Sequence, residues 1–405
     1  MARAGGLGCR AMALAPARVR SRAMNEAPAT RYPTVLQVLP ALESGGVERG
    51  TIEVAAAIQR AGGRALVASA GGRMMPALMR TGAQHIDLPL DHRAPWRIWR
   101  NAAALEALIR REQVDIVHAR SRAPAWSAWL AARRTGAAFV TTYHGTYNEG
   151  VPGKRLYNSV MARGRLVIAI SGFIAEMIQA RHGTPPARIR MIPRGVDLDI
   201  FDPAKVNGDR VLKLTRAWRV QDGQPTIVLP GRLTRWKGQT VLIDALARMR
   251  NTEAVVVLAG SDQGRRRYTA ELAAQARRLN VEHRVRIVGN VDDVAAAMKL
   301  SDVVVNASTD PEAFGRVVIE AQAMARPVIA TDHGGAVETV AHGVTGWRVR
   351  PGDPAELARM LDEVLEMPVE ARLDVGRQAR AMVQDRFTVT AMQNATLDVY
   401  REVLA

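Results

Sequence analysis

From Pro33 onward, short runs of Val, Ile, Leu and Ala alternate with Gly-bounded turns and amphipathic stretches. In the first half the apolar runs are Val35–Leu39, Ala65–Ser69, Ile86–Leu88, Val114–His118, Phe139–Thr142 and Leu166–Ile170. In the second half they are Thr226–Leu229, Ala254–Ala259, Val285–Val288, Val303–Asn306 and Pro327–Ala330. Runs this continuous leave no polar face, so each strand is buried on both sides, which is the habit of parallel sheet. Between them, helical spacing of apolar residues covers Val47–Ala61, Trp99–Arg111, Gln239–Arg248 and Arg316–Ala325. The alternation predicts an α/β chain with two doubly wound, Rossmann-like sheets. A polar stretch with Pro203 and Gly208 interrupts the pattern near Val196–Gly208. We therefore divide the chain into domains at 31–203 and 204–386, followed by a segment, 387–405, whose Met392, Leu397, Val399, Val403 and Leu404 fall at helical spacing.

The first thirty residues show no period and carry five Arg against one acidic residue. They read as a disordered or mis-assigned leader at 1–30, and Met24 serves equally well as a start. The remaining length suits two domains, and 48% apolar residues suffice for two cores. A single Cys, Cys9, excludes a disulfide scaffold and any Cys-based zinc module. No apolar run approaches the roughly 18–20 residues of a membrane span.

The net charge of +17 is unevenly placed. Residues 1–30 hold +4, residues 31–205 hold 24 basic against 13 acidic residues, and residues 206–405 hold 27 against 25. Arg outnumbers Lys 51 to 5, which fits a coding bias, but bias alone does not divide charge this way. The excess asks for an anionic partner: nucleic acid, a membrane surface or a phosphorylated substrate. Eighteen aromatic residues in 405 and no recognisable nucleic-acid module argue against the first.

In doubly wound folds ligands bind beyond the carboxyl ends of the strands. After the first strand, Gly45-Gly46 opens a helix, which suits either an anion at free amides or merely a tight turn. There is no GxGxxG fingerprint and no Walker A pattern. His144, in Tyr143-His144-Gly145, either points into a cleft or caps a turn, while His118 reads as structural. Arg232 and Lys237 stand five apart on a loop bounded by Gly231 and Gly238, fit to grip a diphosphate. Glu312 falls in a loop and Glu320 inside the helix that follows, within the apolar run VVIEAQAMA. A Glu buried there needs a partner, either ligand hydroxyls or an Arg or water at the helix edge. Asp332-His333-Gly334-Gly335 offers another close backbone approach. The Asp197-Leu198-Asp199 pair lies at the seam and reads as linker. Gly264–Tyr268, with three Arg, reads as a solvated face.

Six segments in this order resemble the retaining glycosyltransferases of family four, which have the GT-B fold of two facing Rossmann-like domains. They are GGVE (Gly45–Glu48), YHG (Tyr143–Gly145), PRGVD (Pro193–Asp197), GRLTRWKG (Gly231–Gly238), PEAFGRVVIEA (Pro311–Ala321) and DHGG (Asp332–Gly335). The resemblance implies that the N-terminal domain binds acceptor, that the C-terminal domain binds a nucleotide sugar, and that 387–405 crosses back as a helix onto the first domain. It implies that Arg232 and Lys237 bind the donor diphosphate, that Glu320 holds the ribose hydroxyls, and that Glu312 with the amides of Phe314 and Gly315 holds the sugar. His144 would contact donor sugar or phosphate, and Gly45 and Gly46 would close on the phosphates. It further implies no active-site metal, no cofactor beyond a UDP- or GDP-sugar donor, and contacts to the base near Val288–Val291 made largely by backbone. Two departures stand out: Arg194 replaces an Asn common in relatives, and Tyr143 replaces Thr. The expected function is hexosyl transfer to a lipid-linked or lipopolysaccharide-core acceptor. The basic first half would sit peripherally on the anionic inner face of the cytoplasmic membrane, with no nucleic-acid partner. An epimerase of the same fold and, more remotely, a basic nucleic-acid binder are the alternatives.

Overall fold

Strand β1, Thr34–Val38, is buried at every position. Its Leu36 and Val38 face one apolar cluster and its Val35 faces another, and the polar Gln37 is itself fully buried, its Nε2 donating to Thr51 O at 3.0 Å. Around it lie β2 (Arg64–Ser69), β3 (Gln84–Asp87), β4 (Ile116–Ala119), β5 (Ala138–Tyr143), β6 (Leu166–Ala169) and β7 (Ile189–Met191). All pair in parallel, in the order 3-2-1-4-5-6-7. The second sheet comprises β8 (Thr226–Pro230), β9 (Val255–Ala259), β10 (Val285–Gly289), β11 (Val303–Asn306), β12 (Val328–Thr331) and β13 (Trp347–Val349). It is also parallel, ordered 10-9-8-11-12-13. In each sheet the strand order reverses beside the first strand, at β1/β4 and at β8/β11, and the crevice there is where doubly wound sheets take ligands. This computed structural model describes residues 33–43, 45–92 and 94–405; the leader expected at 1–30 lies outside the described residues.

The expected strands and helices are present with ends displaced by a few residues. The apolar run at Val114 enters its strand only at Ile116, because the Asp115 carboxylate turns back to accept the Thr34 amide. Two strands have no counterpart in the apolar pattern, β7 and β13. Each is a three-residue edge with Arg at its centre, Arg190 and Arg348, so neither makes an apolar run.

The chain crosses between the sheets twice, and the crossings run side by side. Val196 donates its amide to Phe387 O at 2.8 Å and accepts from Val389 N at 3.1 Å. A side chain on Gly195 would stand 2.4 Å from Thr388 O, so only glycine fits this seam. Beyond it, Thr388 caps the helix Val389–Leu404 through its side chain. Met392, Val399, Tyr400 and Val403 of that helix join Val35, Leu39, Val54 and Ile58 in one cluster. Gln393 Nε2 donates to Glu53 O at 2.7 Å, so the last helix does return to the first half of the chain.

Candidate active site

The first wall of the cleft is the helix Gly46–Arg60 that follows β1. Its N-cap, Gly45, has φ 143°, a conformation L side chains rarely adopt, and brings no side chain of its own to cap the first amides, of which that of Glu48 is met by the Glu48 carboxylate. Those amides and the helix dipole leave a positive end facing the crevice. Glu48, in the first turn, folds back over Gly45. Burial pushes its carboxyl up, opposed by its own backbone amide, Arg232 and Arg194.

β5 delivers the next group. Tyr143 is fully buried, tilted against Tyr147 with ring centroids 4.5 Å apart, so it packs rather than facing the cleft. His144 follows, with Nδ1 2.6 Å from Arg194 Nη2 and with Nε2 buried and without a partner among the described residues. Its pKa is pushed well below the usual imidazole range, first by burial and then by the charges of Arg194, Arg120 and His118. Arg194 is 5% exposed and Arg120, at the end of β4, is 2% exposed with Nε and Nη2 unpartnered. His118 bonds Tyr400 Oη at 2.6 Å and Thr142 Oγ1 at 2.7 Å, both ring nitrogens satisfied, consistent with a structural role.

The second half supplies the opposite wall. β8 runs into Gly231, φ 150°, then the Arg235–Lys237 turn and Gly238, φ 71°. A side chain on Gly238 would strike Ala307 O at 1.8 Å. Arg232 is exposed and no carboxylate among the described residues pairs with it. Lys237 differs: its Nζ lies 2.6 Å from Glu312 Oε1, and both side chains are largely buried. Glu312 also accepts from Ser308 Oγ. Burial works against its carboxylate, but the Lys237 charge and the bonds from Lys237, Ser308 and Asn306 hold the pKa below its ordinary value. The two residues assigned from the sequence to separate tasks are therefore each other's partner, because two opposed charges in one dry pocket neutralise.

The amides of Phe314 and Gly315 donate to no backbone carbonyl among the described residues. Gly315, φ 81°, caps the helix Arg316–Ala323, and the Phe314 ring packs edge-on against Phe387 at the crossing. Glu320 is 7% exposed and meets Arg49 Nη1 at 3.4 Å and Arg316 Nε at 3.7 Å. Of the partners weighed from the sequence, the structure supplies Arg. Burial raises the Glu320 pKa, with Arg316 and Arg49 opposing. Arg316 in turn reaches Glu53 Oε1 at 3.1 Å and Gly195 O at 3.3 Å.

The expectation for Asp332–Gly335 needs correction. The space over Gly334 and Gly335 is filled by the backbone of the Glu312 loop, 2.5 Å from where each Cβ would stand, and Gly335 N donates to Glu312 O. These glycines seat the Glu312 loop rather than admit a ligand. Asp197 accepts the Asp199 amide and Asp199 pairs with Lys205, so the Asp-Leu-Asp stretch is a turn at the seam. In the Arg-rich helix start, Tyr268 is buried and donates to Gln239 while Arg267 lies in solvent. Among the described residues no group of three or more His, Cys, Asp or Glu side chains is placed to hold a metal.

A hollow of about 270 Å³ joins the walls, lined by Gly45, Gly46, Arg49, Met74, Arg316 and Glu320. Lys237 lies within electrostatic reach of Glu320, and Arg232 of Glu48. A larger hollow, about 1060 Å³, lies between the Gly46–Arg60 helix, the last helix and the Val196–Ile200 seam, away from Arg232, Lys237 and Glu312. Reading the sequence missed Arg49, Glu53 and Arg120. Arg120 had a usable signal, since it directly follows a strand.

Two family models match the chain: Glycosyltransferase Family 4 over residues 44–200 and Glycosyl transferases group 1 over residues 213–382. Among relatives, a D-inositol 3-phosphate glycosyltransferase of Xylanimonas cellulosilytica is 32% identical over 307 residues, 71% of this chain and 72% of that protein. Matches to the curated relatives span between 59% and 80% of those proteins' own lengths. Among solved structures, a glycosyltransferase from Rickettsia africae is 37% identical, covers 92% of this chain and 98% of its own, and superposes with a TM-score of 0.85. The Anabaena protein HepE in complex with UDP-glucose is 25% identical over 91% of this chain and all of its own, with a TM-score of 0.81.

Proposed function

The chain belongs to glycosyltransferase family 4, with a GT-B fold, and from that premise we propose that it is a retaining hexosyltransferase using a UDP- or GDP-sugar without a metal. One observation carries the reading. The Gly45-Gly46 helix start faces Arg316 and Glu320 across a single hollow, with the exposed Arg232 and the Lys237–Glu312 pair beside it. A helix N-terminus and two cations suit a diphosphate, and the buried Glu320 carboxylate suits ribose hydroxyls. HepE, by its description, binds UDP-glucose, which favours uracil over guanine as the base.

In the reaction the bond between sugar C1 and the phosphate oxygen breaks. The acceptor oxygen bonds C1 on the same face, and its proton passes to the departing phosphate. Arg232 and Lys237 stabilise the negative charge that grows on the diphosphate, the role a metal ion plays elsewhere. Glu312, relieved of Lys237 as the ammonium turns to phosphate, takes sugar hydroxyls together with the Phe314 and Gly315 amides. No enzyme nucleophile is needed.

The acceptor is a phosphorylated or lipid-linked glycan, with lipopolysaccharide core as the leading candidate. Support comes from the charge of the first half and from one of its faces. Trp96 and Trp99 are 59% and 56% exposed, with Arg97 over the Trp96 ring and Arg134 over Trp99. Exposed Trp among Arg suits an anionic bilayer surface. Among the described residues no helix is long and apolar enough to cross a membrane; the attachment proposed here is peripheral. Incubating the protein with UDP- and GDP-hexoses, with and without glycolipid, tests the transfer. Release of nucleoside diphosphate stimulated by glycolipid is expected, and an epimerised donor formed without acceptor would favour the epimerase instead. For the membrane, co-sedimentation with anionic but not neutral vesicles is expected, reduced in a Trp96→Ser/Trp99→Ser variant; equal failure on both vesicles sinks that part.

A further inference from the structure

We propose that Arg194 is a positioning residue that holds the His144 ring as the neutral tautomer with its proton on Nε2, so that the ring gives the donor a hydrogen bond and acts as neither base nor cation. The ligand half of this statement rests on the donor site proposed above; the tautomer half does not.

The geometry leaves one arrangement. Arg194 Nη2 stands 2.6 Å from His144 Nδ1. A guanidinium has five N–H donors and no acceptor, so Nδ1 must present its lone pair. A neutral imidazole then carries its single proton on Nε2. That N–H is buried and meets no acceptor among the described residues, a donor left for a ligand oxygen. With Nδ1 occupied and Nε2 protonated, the ring has no free lone pair with which to take a proton from the acceptor substrate.

The groups around the ring keep it uncharged. The Tyr147 hydroxyl, from its own loop, accepts the His144 amide at 3.4 Å. β4 contributes His118 and Arg120, and the segment after β7 contributes Arg194. Burial, then the charges of Arg120 and Arg316, press the Arg194 pKa well below the ordinary guanidinium range, and the carboxylates of Glu53 and Glu48, on the helix after β1, oppose that. An imidazolium would need a proton on Nδ1, pointing at the guanidinium.

Arg194 also fixes where the ring stands. Its Nη2 donates to Gly46 O at 3.3 Å, and Nη1 lies 3.9 Å from Met392 Sδ on the returning helix. Gly50 makes room for this: a Cβ there would come within 2.6 Å of Arg194 Nη1 and 3.0 Å of Arg120 Nη2. One side chain thus ties the end of β5 to the Gly45–Gly46 turn. An Asn at this position is too short to make these contacts together, and a Lys, with one nitrogen, cannot reproduce the planar fork.

The test is nitrogen-15 imidazole spectroscopy of the full chain labelled at His, with the His144 signals identified by their loss in His144→Asn. In the wild type we expect an Nε2–H neutral ring from about pH 8 to about pH 5.5, across the ordinary imidazole range. In Arg194→Gln the ring should titrate closer to that ordinary range and populate both tautomers, and activity should fall on the acid side where the wild type holds. Arg194→Lys should keep the ring neutral but lose part of the turnover. An Nδ1–H or charged wild-type ring at neutral pH overturns the proposal without any variant, as does an unshifted titration in Arg194→Gln. Adding UDP and GDP separates the two halves. A diphosphate that binds by calorimetry yet leaves the Nε2 signal unmoved removes the ligand bond, whereas no binding by either counts against the donor site and leaves the tautomer standing.

Discussion

Arg232 and Lys237 serve the same loop but stand in different surroundings, and that difference can be measured. Arg232 is exposed and without an ion-pair partner among the described residues, whereas Lys237 is largely buried and 2.6 Å from an equally buried Glu312. If both stabilise the departing diphosphate, replacing either by Ala removes one preorganised charge and should raise the barrier by about 2–4 kcal/mol. That corresponds to a turnover reduced roughly 30- to 1000-fold. Their effects on stability should separate. Arg232→Ala takes nothing from the interior and should change unfolding free energy by less than about 0.5 kcal/mol. Lys237→Ala leaves the Glu312 carboxylate buried with only Ser308 and Asn306 to support it, and breaking a buried pair in this way costs about 3–5 kcal/mol. Lys237→Ala/Glu312→Gln should recover much of that stability while turnover stays low. Donor turnover and urea unfolding on the variants together decide the matter. Wild-type turnover in Arg232→Ala would refute the clamp, and equal stability losses in the two single variants would refute the burial argument.

The other consequences concern Glu320, the seam and the His118 network. Because burial raises the Glu320 pKa, the folded state holds that proton more tightly than the unfolded state, and the carboxylate costs stability as pH rises above its ordinary titration range. Glu320→Gln should therefore stabilise the ligand-free protein at neutral pH, with the gain fading toward acid, while donor affinity falls about tenfold or more; melting curves against pH and donor titration check both. Gly195→Ala forces a Cβ against Thr388 O and should cost on the order of 1–3 kcal/mol by unfolding, with no change meaning that the crossings are not tightly paired. Tyr400→Phe leaves His118 Nδ1 without its partner inside the fold, costing about 1–3 kcal/mol in unfolding free energy with turnover unchanged. A selective loss of turnover there would make His118 more than structural.

The fold was legible because parallel strands such as β1, β8 and β11 are buried on both faces and leave apolar runs. The edges β7 and β13 were not, since an Arg-centred three-residue strand leaves no such run. In the site, position after a strand found His144, Arg232 and Lys237, and helical context found Glu320. Pairing across the chain stayed hidden: nothing local to Lys237 points to Glu312 seventy-five residues away, or local to Arg49 to Glu320. Position after a strand also misled, because the space over Gly334 and Gly335 is filled from within the protein. Of the basic residues of the first half, Arg97 and Arg134 stand over the exposed Trp96 and Trp99, while Arg120 and Arg194 are buried.

In the proposed function the cleft grips a nucleoside diphosphate with Arg232 and Lys237 in place of a metal. Calorimetric titration of UDP, then GDP, into the chelator-treated full chain tests it most directly. Saturable binding of at least one of them is expected, persisting in chelator and weakened at least about tenfold in Arg232→Ala. No binding by either, or binding that requires added divalent metal and ignores Arg232, would contradict it.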